Sequence, residues 1–287
     1  MGAIFRHELR NYFHSLTAYV FGAFLLAVIG IGAMYYNLEA AVSNFEFVLS
    51  FASIIFVVIV PILTMRTLAE ERRQRTDQLL YSLPITTTQV VLGKYLALLV
   101  VYLILLAVIS LYPLLFSRFG DVYLPTSYGS LFAFFMMGAA LLAVGMFLSS
   151  LTDNQGFAAG IGVAAILLNY YSVSLAEYTS STAMGSLIAL YVIALLLGVV
   201  IRGLTRNENL AYGVTFVLIA ALSVAYFVNS SAFEGLLPDI MTKLSLFRQF
   251  NSFVNGAFDL TAIVYYVSVM GFFLFLSVQS MEKRRYN

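Results

Sequence analysis

The chain has 287 residues, 61% of them hydrophobic and only 10% charged, with a mean hydropathy of +0.93. A soluble domain of this length needs roughly a quarter of its residues charged to cover its surface, so much of this surface must meet lipid. The absence of cysteine excludes disulfides, a thiol nucleophile and cysteine-held zinc or iron–sulfur clusters, and a net charge of +1 gives no overall pull on nucleic acid, which is not expected as a partner.

Residues 1–17 are predicted to form an interfacial helix. Ile4, Phe5, Leu9, Tyr12, Phe13 and Leu16 gather toward one side, while Arg6, His7, Arg10 and His14 take much of the rest. The apolar run that follows has no small-x-small cleavage site, so no secretory signal is expected. A bilayer core about 30 Å thick needs about 20 mostly apolar residues, and eight stretches provide them, near 18–36, 46–66, 92–116, 127–150, 156–175, 184–202, 208–228 and 261–280.

Charge sets the orientation. With eight spans and an inside N-terminus, the inner segments hold Arg6, Arg10, Arg66, Arg72, Arg73, Arg75, Lys94, Arg202, Arg206 and 283–285, against Arg118, Lys243 and Arg248 outside. This bias places both termini in the cytoplasm. Glu39, Glu46, Glu177, Glu234, Asp239 and Asp259 give the outer side an acidic lean, with none clearly at the bilayer centre, where an ionisable group suggests an ion or proton path.

Two segments lie outside the spans. Residues 66–91 form a charged cytoplasmic loop, in which 69–84 reads as a short amphipathic helix with Leu79, Leu80 and Leu83 as its stripe and Glu70, Glu71, Arg72, Arg73 and Asp77 as its charges. Pro84 stops it, and the threonines at 86–88 cap the next helix. Such a helix suits the transmission of a push from a soluble partner to two spans; an ordinary solvated hairpin reads equally well from the residues alone. Residues 229–260 contain two short amphipathic runs, near 233–248 and 245–258, on the outer side. Asp153, Asn154 and Gln155 are expected to cap helix ends, and glycines such as Gly138, Gly145, Gly156, Gly160 and Gly162 to serve helix packing.

Chemistry is not expected of this chain. Its two histidines, His7 and His14, sit on the N-terminal helix, with no HExxH, no phosphate-binding GxxxxGK[ST] and no histidine placed to activate a serine. It is read as neither an enzyme nor a metal or cofactor protein.

Several segments resemble the membrane-spanning subunit of an ABC-2 type transporter, close to the permeases of the gliding-motility and copper-processing branch. They are FRHELRNYFHSLTAYVF at 5–21, PILTMRTLAEERRQRTDQLLYSLPITTTQVVLGKYLA from residue 61, FLSSLTDNQ at 147–155 and LSLFRQFNSFVNGAFDLTAIVYYVSVMGFFLFLSVQSMEKRR at 244–285. The resemblance implies an all-α integral membrane protein, multi-pass in the bacterial cytoplasmic membrane. Its single transmembrane domain over 1–287 is of the ABC-2, type V exporter-like kind, with a six-helix core and an extra transmembrane hairpin at 180–230.

The resemblance also implies that Glu70, Glu71, Arg72, Thr76, Asp77, Gln78, Leu79, Leu80, Leu83 and Pro84 couple to a separate cytoplasmic ABC ATP-binding subunit. Two copies of that subunit are expected to use ATP and Mg2+. The interfacial helix, with Phe5, Arg6, Leu9, Arg10 and Phe13, contributes to the same contact and meets membrane lipid. The other implied partners are a second permease subunit, identical or homologous, and an accessory extracytoplasmic protein. Export of an unidentified substrate is the leading expectation; a mechanical or scaffold subunit acting on an outer partner is the alternative, and a secondary transporter lacks the buried ionisable groups it needs.

Overall fold

The computed structural model describes residues 1–73, 85–205 and 207–285. All regular structure among them is helical. Contacts divide the chain into two compact units, one of residues 1–170 with 249–287, the other of residues 171–248.

In the first unit, α1 (Gly2–His14) ends where Ser15 turns extended, its N–H donating to the Asn11 carbonyl. Helix α2 (Leu16–Ala33) then starts and runs on through a π-helical turn, Met34–Glu39. The next apolar stretch is broken. Helices α3 (Glu46–Ser53) and α4 (Phe56–Thr64) meet at 61°, because the Ser53 hydroxyl takes the Ser50 carbonyl at 2.7 Å and the backbone at 54–58 tightens to bonds three residues back. Helix α5 (Ala69–Arg73) follows. On the other side of the undescribed stretch come α6 (Thr87–Ile109), α7 (Leu111–Phe116) and α8 (Leu124–Ser149). Helix α9 (Gln155–Tyr178) leads from this unit into the second.

Helix α8 is the central strut of the first unit. It packs against α3, α4, α6 and the last helix, α14 (Leu260–Arg285). Its small residues make this possible: a Cβ on Gly138 would lie 2.5 Å from Tyr102, one on Gly145 would collide with Thr64, and α9 meets α4 at Gly162, where a Cβ would lie 3.0 Å from Pro61. Among the described residues, a Cβ on Gly160 would meet nothing within 4 Å and one on Gly156 only the Asn154 side chain at 3.5 Å, so neither packs against another helix there. Around the strut lies an aromatic core in which Phe21 and Phe56 meet Tyr102 edge-on and Phe135 stacks on it. The Tyr102 hydroxyl donates to the Phe134 carbonyl at 2.7 Å, satisfying a polar group that is fully buried.

In the second unit, α10 (Ala183–Thr205) and α11 (Glu208–Val228) form an antiparallel pair. Gly198 admits Thr215, Tyr191 and Ser223 share a 2.7 Å hydrogen bond, Arg202 pairs with Glu208, and Asn207 caps α11 through the Leu210 N–H. A short 3₁₀ turn (Ser230–Phe233) and α12 (Leu236–Lys243) fold back on this pair, with Gly235, at φ +69°, donating to the Ser181 carbonyl. Helix α13 (Leu246–Val254) follows, and in the first unit its Phe250 meets Phe134 of α8.

All eight apolar stretches are thus helical. Among the described residues six helices are long and apolar enough to cross a membrane and the bent α3–α4 pair makes a seventh crossing if taken as one, short of the eight expected, because α10 offers only the shorter apolar stretch Ala183–Val199.

Candidate functional site

The charged segment predicted as the working surface begins at α5 and ends before α6, and the structure shows what holds its two flanks. On the near flank, α4 closes with the Thr64 hydroxyl on the Val60 carbonyl and the Thr67 hydroxyl on the Thr64 carbonyl. Ser149, the last residue of α8, then straps the turn: its oxygen accepts from the Leu68 N–H at 3.3 Å and the Ala69 N–H at 3.2 Å and donates to the Met65 carbonyl at 3.2 Å. Leu68, Ala69 and Ser149 are all buried, so this one hydroxyl satisfies backbone groups that water does not reach.

The far flank is held by three other helices. Thr86 caps α6, accepting from the Gln89 N–H, and the buried Thr87 hydroxyl donates to Glu282 near the end of α14 at 2.8 Å. The end of α14 is itself fixed to the end of α8, because Ser280 donates to the Ser150 carbonyl at 3.0 Å. Two turns into α6, the Lys94 ammonium meets the Glu8 carboxylate of α1 at 2.7 Å, with side-chain exposures of 3% and 13%. Helix α1 lies close enough to do this because Gly93 has no side chain; a Cβ there would sit 3.1 Å from Ile4. Arg66 reaches across to the Thr17 hydroxyl at the start of α2. The ends of five helices therefore converge on the flanks of one short segment, in a frame of hydrogen bonds and one buried ion pair.

The frame ties both flanks of the charged segment to the helix bundle. Among the described residues, no three His, Asp or Glu side chains come together as a metal site would require. A profile for the ABC-2 family transporter protein matches residues 31–176, a little over half of the chain and the stretch that contains α3 to α8 with the charged segment. The chain belongs to the ABC-2 transporter family. No curated protein and no solved structure matches it.

ABC-2 membrane proteins are multi-pass transport components and not catalysts, and in this member the predicted residues are distributed as follows. Glu70 is half-buried on α5, with Glu71 and Arg72 beside it in the chain; Thr76, Asp77, Gln78, Leu79, Leu80, Leu83 and Pro84 lie outside the described residues. On α1, Phe5 and Leu9 face inward with Ile4 and the buried Tyr12, and Arg6 and Arg10 face out. Phe13 and Leu16 are 40% and 77% exposed, outside the packed side. The packed side of α1 is centred on Glu8 and Tyr12, and the break at Ser15 takes Leu16 off the helix.

Sequence reasoning missed Glu8, Ser149, Ser280 and Glu282. For the ion pair a signal existed: Lys94 is the lone charge between residues 78 and 117, and Glu8 is the lone acid of a basic helix. The serines gave none. Replacing Ser149 with Ala should lower stability by about 2 kcal/mol, the cost of leaving two buried N–H groups without an acceptor. Unfolding of the purified protein in detergent checks this, and a variant melting with the parent would remove the strap from the argument.

Proposed function

We propose that this chain is the permease subunit of an ABC exporter in the bacterial cytoplasmic membrane. It converts ATP hydrolysis by a separate cytoplasmic ATP-binding subunit, present in two copies, into movement of a substrate path formed with a second permease, identical or homologous. Both termini face the cytoplasm, and the chain resembles the permeases of the gliding-motility and copper-processing branch. The paired helices of residues 180–230 are an added hairpin, which packs outside the six-helix core, holds an accessory membrane protein or alters the contact with the second permease.

The observation that supports this most is the frame at the flanks of residues 74–84. A push on a free hairpin is dissipated in rotations of its backbone. A push on this segment acts through Ser149 on α8 and through Thr87, Glu282, Lys94 and Glu8 on α6, α14 and α1. The segment is joined directly to α4, which packs with α3 on α8 and meets it at a 61° bend, so a push also reaches this crossing.

The test is the triple replacement of Asp77, Leu79 and Leu80 by Ala in the full chain, co-expressed with its ATP-binding subunit. Two leucines docked in an apolar groove contribute about 1.5–3 kcal/mol each, so retention of the ATPase through purification should fall more than about tenfold, with membrane insertion intact. Unchanged retention together with unchanged stimulated hydrolysis would overturn the assignment.

A further inference from the structure

The outer side of α1 carries a charge pattern that its packing does not use. Arg6, Arg10 and His14 are spaced four apart and form one exposed ridge, with His7 beside it. Arg6 and Arg10, like charges four residues apart, repel along the helix. Glu8, the one carboxylate of α1, cannot relieve them, because it is turned to the packed side and engaged with Lys94 at 2.7 Å. The contacts made along the ridge are a long 3.4 Å bond from Arg10 to His14, a 3.3 Å bond between Asn11 and His7, and a 3.9 Å approach of His7 to the Glu8 carboxylate, none of which brings an anion to Arg6 or Arg10. At the end of the ridge, exposed Arg66 spends one N–H on Thr17 and keeps the rest of its guanidinium open. Directly beyond, exposed Phe13, Leu16 and Tyr19 lead into the apolar helix α2.

We propose that this ridge binds the headgroups of anionic phospholipids, holding α1 in the headgroup layer. The charge complementarity is one-sided: Arg6 and Arg10, with no facing acid among the described residues, above an apolar foot that continues into a membrane-crossing helix, match a surface of lipid phosphates. The location gives the contact a consequence. Helix α1 is pinned to α6 through Glu8 and Lys94 and through the close fit of Ile4 on Gly93, so headgroups that fix α1 also fix the far flank of the charged segment. The inference rests on membrane insertion alone and stands or falls separately from the ATPase assignment.

The experiment uses the full chain in membranes of equal phosphatidylglycerol and phosphatidylcholine, extracted in mild detergent, with the phospholipids retained counted by native mass spectrometry. Parent protein should retain phosphatidylglycerol in excess. The double variant Arg6→Gln, Arg10→Gln should lose most of that excess, since each basic group near an anionic surface is worth roughly a factor of five and two of them about thirtyfold. Arg6→Lys, Arg10→Lys should keep it, which separates charge from folding, and 0.5 M salt should erase it, because screening at that strength shortens to a few ångströms. Equal retention of the two lipids by the parent protein, or an excess unchanged in the glutamine variant, overturns the proposal. An unchanged excess with loss of the co-purified ATP-binding subunit would instead assign the ridge to an acidic face of that partner.

Discussion

Replacing Glu8 with Gln is expected to lower stability by about 3 kcal/mol, the lower end of the cost of stranding one member of a buried ion pair. The group left behind decides the size of the effect. Lys94 is 3% exposed at its side chain and lies on the inner face of α6, among apolar neighbours. Without the carboxylate its ammonium loses the 2.7 Å counter-ion at a site that bulk water barely reaches. Removing the lysine is less damaging, because Glu8, at 13% exposure on a helix at the edge of the bundle, rehydrates by a small shift of α1. Lys94→Met should therefore cost less than Glu8→Gln, and the double variant should recover most of the loss, as a neutral pair of similar volume does in other buried sites. The four proteins form a cycle whose coupling term is read by chemical unfolding in detergent. Strictly additive losses would show that the 2.7 Å contact does no energetic work. The same cycle, read as ATPase stimulation, distinguishes a frame that transmits force from one that only holds shape: in the first case Glu8→Gln retains its ATP-binding subunit and loses coupled hydrolysis.

How much of this was legible in the sequence follows from the range of each interaction. Apolar stretches announce themselves locally, through some twenty residues that find no better solvent than lipid, and all eight are helices. Caps are local too. Thr86 caps α6 and Asn154 accepts from the Gly156 and Phe157 N–H groups at the start of α9, both as the residue types suggested. The frame around the charged segment is not local. Ser149 meets residues 80 or more positions away, and Thr87 meets Glu282 across most of the chain. Nothing in a serine at a span end says which backbone it will strap. Glu46 shows the same limit in reverse. It was read as part of an acidic outer surface, yet it is 1% exposed, with one carboxylate oxygen taking the Ser127 hydroxyl at 3.3 Å and the other without a partner. Its position at the first turn of α3 is a local feature that favours an acid; its burial is imposed by α8, which the residues around it do not reveal.

The largest effect is expected at Gly138, and the reason is the same long-range packing. Tyr102 has no exposure, its ring is enclosed by Phe21, Phe56 and Phe135, and its hydroxyl reaches the Phe134 carbonyl one helical turn before Gly138. A Cβ at 138 would stand 2.5 Å from both the ring and the hydroxyl oxygen, nearer than non-bonded atoms approach. The ring has nowhere to go, since each escape runs into another aromatic side chain in a core packed to crystal density. Gly138→Val must then separate α6 from α8 and strip the hydroxyl of its acceptor, an overpacking cost of about 3 kcal/mol joined to an unsatisfied buried group of about 1–3 kcal/mol. The expected outcome is failure to accumulate folded protein. Gly145→Ala is the milder test, because it meets one small side chain, Thr64, and Thr64→Ala in the same chain should return part of the loss by removing the hydroxyl and methyl it strikes. Gly160→Ala supplies the contrast within the same fold: nothing lies near its Cβ, and in a helix Ala is favoured over Gly by about 1 kcal/mol. Folded yield and unfolding midpoint should rank Gly160→Ala at or above the parent, Gly145→Ala below it and Gly138→Val last. A folded Gly138→Val protein with parent-like stability would mean that α6 and α8 do not approach at Tyr102, and the central strut would have to be placed elsewhere.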